Sequence, residues 1–313
     1  MNSLTHFKKA KILRNILLSL GVFFALTIST HGQNLYVSLH GALCGPHCTD
    51  FSGSISEYTP DGMQSTFAFG LARPRGLAFD SSGNLFVAVT YFAPPHQPHA
   101  RILKFPPLGQ RSVFGNFALS FAEGVVTDGG DNVFAIAQSL SLTPASGDFS
   151  NIYKFAPDGT RTLFGSTESN AAIGLALDSA GNLYAADADA QTIYKFTPNG
   201  TRSVFAGPSA FAENTGPVGL AFDSTGNLFV STEGDPGNDT ILEFTLNGTE
   251  STFATGLTNP WGLAFDASGN LFVAEFNPAP DGDILEFAPG GGPPSTFASG
   301  IDLPLFLTFG PPR

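Results

Sequence analysis

Three groups of side chains in this sequence could do chemistry, and each has a definite spacing. The first is histidine and cysteine. His40, Cys44, His47 and Cys48 lie within residues 39–54, and His96 and His99 within residues 89–101, so every histidine beyond residue 32 falls in two short stretches. Imidazole and thiolate are the donors that zinc or copper selects. Cys44 and Cys48, the only two cysteines, stand in Leu-Cys-Gly-Pro-His-Cys. That is one residue too far apart for a Cys-x-x-Cys redox pair and lacks the Cys-His ending of a haem site. The plainer reading is a short-loop disulfide beside surface histidines, formed in an oxidising compartment. The second group is acidic: Asp187, Asp189, Glu233, Asp235, Asp239, Glu275, Asp281 and Asp283, with Asn277. Oxygen donors on loops suit Ca²⁺. No Asp-x-Asp-x-Asp-Gly loop is present, and a solvated acidic rim is the other reading. The third group is Arg75, Glu123 and Trp261, each directly ahead of a glycine in a recurring motif, Trp261 being the only tryptophan. They make either a ligand cup, charged on one side with a stacking surface on the other, or an ion pair beside a packed indole.

The elements that must position these groups are repeats. Pro260-Trp-Gly-Leu-Ala-Phe-Asp-Ala-Ser-Gly-Asn-Leu-Phe-Val-Ala274 reads as strand, tight turn, strand, the Gly and Asn supplying the positive φ that a hairpin turn needs. The pattern recurs from Gly76, Gly124, Gly174, Gly219 and Gly262, at intervals of 48, 50, 45 and 43 residues. A period of this size with strands in every copy means a propeller or solenoid. Each copy continues with Ile-x-x-aromatic (55–58, 102–105, 152–155, 193–196, 241–244, 284–287). A turn such as Thr59-Pro-Asp-Gly62 follows, then Ser/Thr-x-Phe-Ala/Gly (65–68, 112–115, 162–165, 203–206, 251–254, 295–298). Four strands joined by turns make one antiparallel blade. The N-terminal copy lacks a first strand, and Pro304-Leu-Phe-Leu-Thr-Phe-Gly310 is a first strand without a successor. Pairing it with residues 34–38 completes a sixth blade and removes the open edge from the ring. The prediction is an all-β, six-bladed propeller of four-stranded antiparallel blades over residues 33–313, burying Leu305, Leu307 and Phe309 or their neighbours.

Residues 1–32 read as a secretory signal peptide: a basic head of Lys8, Lys9, Lys11 and Arg14, then a nearly unbroken apolar run over 16–28. The run is short for a membrane span, and nothing later resembles one. The chain carries a net charge of −12; without residues 1–32, ten basic residues face 26 acidic ones, a net charge of −16. Such a surface repels nucleic acid and anionic lipid. The expectation is an exported protein, periplasmic or extracellular, and a monomer. Asn199-Gly-Thr and Asn247-Gly-Thr fit the glycosylation pattern, but both lie in blade turns where Asn-Gly is explained by turn geometry.

Pro-x-Gly-Leu-Ala-Phe-Asp-x-x-Gly-Asn-Leu-Phe-Val-Ala followed by Ile-x-x-Phe resembles the NHL repeat. More broadly it resembles the six-bladed propellers of the gluconolactonase/regucalcin and virginiamycin B lyase families, over essentially all of residues 33–313. That resemblance implies the fold. It also implies, for the gluconolactonase type, a divalent metal at the channel held by Glu, Asn and Asp, several of them ahead of inner-strand glycines. Only Glu123, in Glu-Gly-Val, matches; Arg75, Ile173, Val218 and Trp261 hold the comparable positions. A lyase-like histidine base has no counterpart beyond His99, and no Gly-x-Ser-x-Gly elbow occurs.

In a propeller the loops between second and third strands gather with the inner-strand starts on one face. Here those loops differ from blade to blade, whereas the tight turns on the other face are nearly identical. The expected role is a non-enzymatic platform presenting the loop-rich face to a protein, glycan or small-molecule ligand, with Arg75, Glu123 and Trp261 as contacts and Asp187, Glu233 and Glu275 nearby. The alternatives are a metal-dependent hydrolase or lactonase built around Glu123, with Ca²⁺ the candidate cation, and a structural component of the cell envelope.

Overall fold

The structure, a computed structural model, describes residues 32–41, 51–93, 97–139, 149–234, 239–277 and 280–312. The expected signal peptide (except Gly32), the Cys44–Cys48 pairing, His47, His96 and Asp235 lie outside the described residues. Six four-stranded antiparallel sheets account for nearly all of the rest. The only helix among the described residues is a 3₁₀ turn, Pro208–Ala210, and no helix there is long and apolar enough to cross a membrane.

Blade 2 shows the plan. Its strands are Pro74–Phe79, Leu85–Ala93, Gln97–Phe105 and Ser112–Ala118, hydrogen-bonded in that order. The second strand is buried on both faces from Leu85 to Thr90, because neighbouring blades cover both sides of it; the fourth opens with exposed residues. This explains why the second strands read as continuous apolar runs rather than alternating ones. Blades 3 to 6 begin with Ser120–Thr127, Ala172–Leu177, Gly216–Phe222 and Pro260–Phe265. In blade 1 the innermost strand is Pro304–Phe309, paired with Leu35–Leu39 in the register Leu35↔Phe309 and Val37↔Leu307. Leu305 and Leu307 are buried and Phe309 half-buried. The ring therefore closes through its two ends, as the repeat arithmetic requires.

The 31 phenylalanines have one main use. In four of the six seams an inner-strand ring, a second-strand ring and a fourth-strand ring meet: Phe229 lies edge to face with Phe265 at 4.9 Å and with Phe253 at 5.0 Å, and Phe253 lies 5.5 Å from Phe287. Such pairs contribute roughly 0.5–1.5 kcal/mol each beyond the apolar area they bury.

The inner strands start two to four residues before the glycines from which the sequence pattern dates them, and each carries a register shift at that glycine. The shifts fall between Pro74 and Leu77, Ala122 and Val125, Ala172 and Leu175, Pro217 and Leu220, and Pro260 and Leu263. Glycine is required there by close approach of the next blade: a Cβ on Gly219 would lie 1.9 Å from the carbonyl oxygen of Trp261. A bulge takes the intervening residue out of the ladder and re-aims its side chain. Five of the six residues so re-aimed are Arg75, Glu123, Ile173, Val218 and Trp261; Leu305 is the sixth.

Candidate functional site

The six bulge residues close the channel at its loop-rich end. Arg75 Nη1 donates to Glu123 Oε2 at 2.6 Å across the seam of blades 2 and 3, with Glu123 only 2% exposed. Val218 and Leu305 are wholly buried, and with Trp261 they form an apolar cluster against Ile173, Phe276 and Phe306. The Trp261 ring lies 5.3 Å from Phe276 and meets Phe306 edge-on at 6.2 Å. The Arg75 guanidinium sits over it, 5.5 Å from its centroid. Of the two readings of this trio, the ion pair beside a packed indole is the one that forms. Trp261, expected at an exposed rim, is only 8% exposed, because Phe276 and Phe306 flank it. Trp261→Ala is therefore a core deletion of the kind that destabilises by about 3–5 kcal/mol, not a neutral surface change.

Phe306 was invisible to the repeat analysis but had a signal. Aligning Pro304-Leu-Phe with Pro260-Trp-Gly shows a phenylalanine where the other five blades have glycine. Phe306 also lines a channel cavity of about 350 Å³ bounded by Phe79, Thr127, Leu177, Phe222 and Phe309. These residues lie at the tight-turn ends of the inner strands, so the cavity opens toward that face while the plug closes the other.

The polar groups that remain available collect beside the plug, on blades 1, 5 and 6. His40 is buried at 7% exposure, its ring 6.3 Å from Phe276. Burial, then the positive charges of Arg75 and Arg73, lower its pKa to about 4, against a smaller opposing effect of the Gly41 backbone. Imidazole at neutral pH is thus uncharged, and Nδ1, although close to Gly41, makes no hydrogen bond of acceptable geometry. Asp239 is 6% exposed; Oδ2 accepts from the Asn259 amide at 3.1 Å, and Oδ1 has no partner among the described residues. Glu275 accepts from the Thr258 amide at 2.8 Å. Its carboxyl is pushed up by burial and by the negative charges of Asp283 and Asp239, with the Thr258 bond opposing. Glu233 is pushed up by burial and then by Asp239, while Arg75 and the Trp261 indole act the other way. The indole Nε1 faces Glu233 without reaching hydrogen-bond geometry. Burial likewise raises Glu123, against the pull of Arg75.

The other sequence candidates are placed differently. Asp187 is fully buried and engaged by the Ser169 hydroxyl, the Ser169 amide at 3.3 Å and the Ala190 amide at 3.2 Å, so it fastens the loops at 169–171 and 188–190. Asp189 and Asp281 are exposed. His99 stacks on Tyr91 at 5.6 Å in the hairpin of blade 2, away from the Phe276 contact that His40 makes.

No protein-family model matches the chain, and no curated protein matches it in sequence. Solved structures do match. TolB from Acinetobacter baumannii aligns with a TM-score of 0.65 and 11% identity over 88% of this chain; the alignment spans 66% of the TolB chain. Regucalcin, a calcium-binding protein from Agrobacterium tumefaciens, aligns with a TM-score of 0.56 and 13% identity over 71% of this chain and 74% of its own. Virginiamycin B lyase from Staphylococcus aureus gives 0.54 and 13%, over 71% and 69%. The chain is a six-bladed β-propeller with regucalcin-type and virginiamycin B lyase-type structural neighbours.

At these identities the likeness is one of fold. The propeller's own residues do not fit a divalent cation at the channel. Glu123, the one residue matching the metal-binding pattern, already has a guanidinium on its carboxylate. Ile173, Val218, Trp261 and Leu305 complete the ring without a carboxylate or imidazole among them. Among the described residues no three His, Cys, Asp or Glu side chains gather as a metal group would require.

Proposed function

We propose that this protein is an exported propeller that works as a binding platform, and that its loop-rich face takes a ligand bearing an ammonium group. The observation that carries this reading is the unused hydrogen-bonding capacity beside the plug: Trp261 Nε1, Asp239 Oδ1 and His40 Nδ1 are buried without partners among the described residues. An unpaired buried polar atom costs about 1–3 kcal/mol, so a native structure that keeps several together needs a reason. The surroundings define the chemistry. The negative charge of Asp239 raises the cost of ionising both Glu233 and Glu275, and a cation among them relieves it. Phe276, half-buried beside them, adds an aromatic face, which attracts a cation by about 0.5–2 kcal/mol. Arg75 is spent on Glu123 and leaves the acids in excess. The basic, apolar N-terminal stretch and the acidic charge balance of the remainder support export.

The single tryptophan reports the test. Titrating the protein with butylammonium, spermidine and a lysine methyl ester should shift Trp261 fluorescence saturably, with 1-butanol inert. Glu233→Gln together with Asp239→Asn should weaken the response tenfold or more, the two charges being lost at once. Equal responses to alcohol and amine, or a response indifferent to the double substitution, defeat the reading.

A further inference from the structure

Away from the channel, the seam between blades 1 and 2 differs from the two that follow it. In three consecutive seams an arginine at the start of the fourth strand clamps the preceding blade. Arg111 Nη1 donates to the Phe69 carbonyl at 3.4 Å, Arg161 to that of Asn116 at 2.7 Å, and Arg202 to that of Ser166 at 3.0 Å. Arg161 is sandwiched by aromatic rings, 4.8 Å from Tyr153 and 5.6 Å from Phe117; Arg202 lies 4.9 Å from Tyr194. In the repeat alignment Leu103 occupies the position of Tyr153 and Tyr194, and Gly70 that of Phe117. Among the described residues Arg111 has no ring beneath it, and open space lies beside Gly70. The volume those rings would fill is a cleft of about 200 Å³ lined by Phe51, Tyr91, Arg101, Leu103, Arg111 and Val113.

Charge makes this more than a packing gap. Arg101 lies 4.3 Å over the Tyr91 ring, and its Nε is buried with no hydrogen-bond partner among the described residues. Among the described residues no carboxylate pairs with Arg101 or Arg111. Two guanidinium groups on one cleft, in a chain whose acidic residues outnumber its basic ones 26 to 14, concentrate positive potential where the rest of the surface is negative. The apolar wall reaches the surface: Phe51 is 55% and Val113 48% exposed. A cavity of about 150 Å³ holds one benzene ring, so this one holds a single ring with a short substituent.

We propose that the cleft binds a small aromatic carboxylate. The ring takes the place that Tyr153 fills in the next seam, against Leu103 and Val113, and the carboxylate is held by Arg101 and Arg111, whose planar forks match it. The site is independent of the reading of the loop-rich face.

The probe is 3-phenylpropionate, measured by calorimetry on the intact protein. One saturable site is expected. The uncharged 3-phenylpropionamide and the ring-free hexanoate should each bind at least tenfold more weakly. Arg101→Gln should weaken the acid at least tenfold. Leu103→Tyr, which restores the residue type of the neighbouring seams, should abolish binding with the melting transition unchanged. A peptide ending in phenylalanine carries the same two groups on a longer chain and should bind no tighter than the free acid. Absence of saturable binding, amide binding equal to acid binding, or a folded Leu103→Tyr protein that still binds would each overturn the site. Tighter binding of the peptide would overturn the assignment to a free small molecule.

Discussion

The two ends of the channel spend their polar groups in opposite ways. On the tight-turn face one device is repeated five times. In blade 4, Asp178 Oδ1 accepts from the amides of Ala180 at 3.0 Å and Asn182 at 2.8 Å, and Asn182 Nδ2 returns to Oδ2 at 2.7 Å. Asp80, Asp128, Asp223 and Asp266 do the same with their own asparagines. Each of these aspartates is satisfied within five residues, and Ser81 also donates across a seam to Asp131 in the next turn, at 2.8 Å from both its amide and its hydroxyl. On the loop-rich face the comparable acids reach 17 to 20 residues along the chain into the connection between blades 5 and 6, as Asp239 does to Asn259 and Glu275 to Thr258, and Asp239 keeps a buried oxygen without a partner among the described residues. A polar group satisfied locally tells a partner nothing; one held in place by long-range packing and left open can discriminate. The difference between the faces is thus one of sequence range more than of composition.

The ring closure supports both faces, so breaking it should have the largest effect. Deleting residues 303–313 removes the strand beside Leu35–Leu39, strips cover from Val37, and takes away the Leu305 and Phe306 contacts of Trp261. An open propeller edge follows. The expected product aggregates or lacks a cooperative melt, by calorimetry and size-exclusion chromatography; a truncated chain melting like the intact one would falsify closure through the termini.

Next in size is the ion pair under the loop-rich face. Arg75→Met strands Glu123, nearly all of whose surface is buried, without its partner, and removing one member of a buried pair destabilises by about 3–5 kcal/mol. Because burial already raises Glu123, the loss should be present at neutral pH and shrink as acid protonates the carboxyl. Urea denaturation at pH 7 and pH 5 measures this; equal losses at both would show that Arg75 acts by packing alone. No turn on the opposite face should match that penalty, since its half-buried aspartates each accept several local hydrogen bonds and lose only one of them at a time.

His40 sharpens the contrast by pH. Its folded pKa of about 4 lies below the ordinary 6.5, so the neutral imidazole is the form that the fold favours. The resulting stability is fully present above pH 6.5 and is lost as pH falls through 4, about 3 kcal/mol at most. His40→Gln should flatten the stability curve across that window. A variant with the wild-type acid profile would shift the titration to another group, the raised carboxyls Glu233 and Glu275 being first in line.

Much of this was legible in the sequence because the repeat prints the same physics several times. Gly219 and its counterparts mark the close approach of inner strands, Asp-x-x-Gly-Asn marks the turns, and the unmatched ends at Leu35 and Pro304 imply closure. The pairing of Arg75 with Glu123 was legible as a possibility, since bulge residues of adjacent blades must meet. What was not legible depended on contacts between unrelated positions. That Trp261 is covered follows from Phe276 and Phe306, 15 and 45 residues away in a loop and in the closing strand. That Asp187 is engaged follows from Ser169, in a connection with no repeated motif. Acidity marked these residues as candidates, and only packing sorted the fastened Asp187 from the half-open Asp239.

The smallest effect tests whether the tight-turn face is self-contained. Asn182→Ala removes the Nδ2 bond to Asp178 and leaves the Asp178–Asn182 amide bond and the Gly181 turn in place. Loss of this one part-buried hydrogen bond corresponds to roughly 0.5–1.5 kcal/mol. Asp178 Oδ2 still accepts from the Tyr184 hydroxyl at 3.3 Å, and the Lys195 ammonium, 3.9 Å away, can close on it, which keeps the loss at the low end. Amine titration followed at Trp261 should be unchanged, because nothing in the turn touches the plug, and a drop of a few degrees in Tm should be the only result. If Asn182→Ala altered the amine response while Glu233→Gln with Asp239→Asn did not, the two faces would have to exchange roles, and the 350 Å³ cavity at the tight-turn end would become the place to look for the ligand.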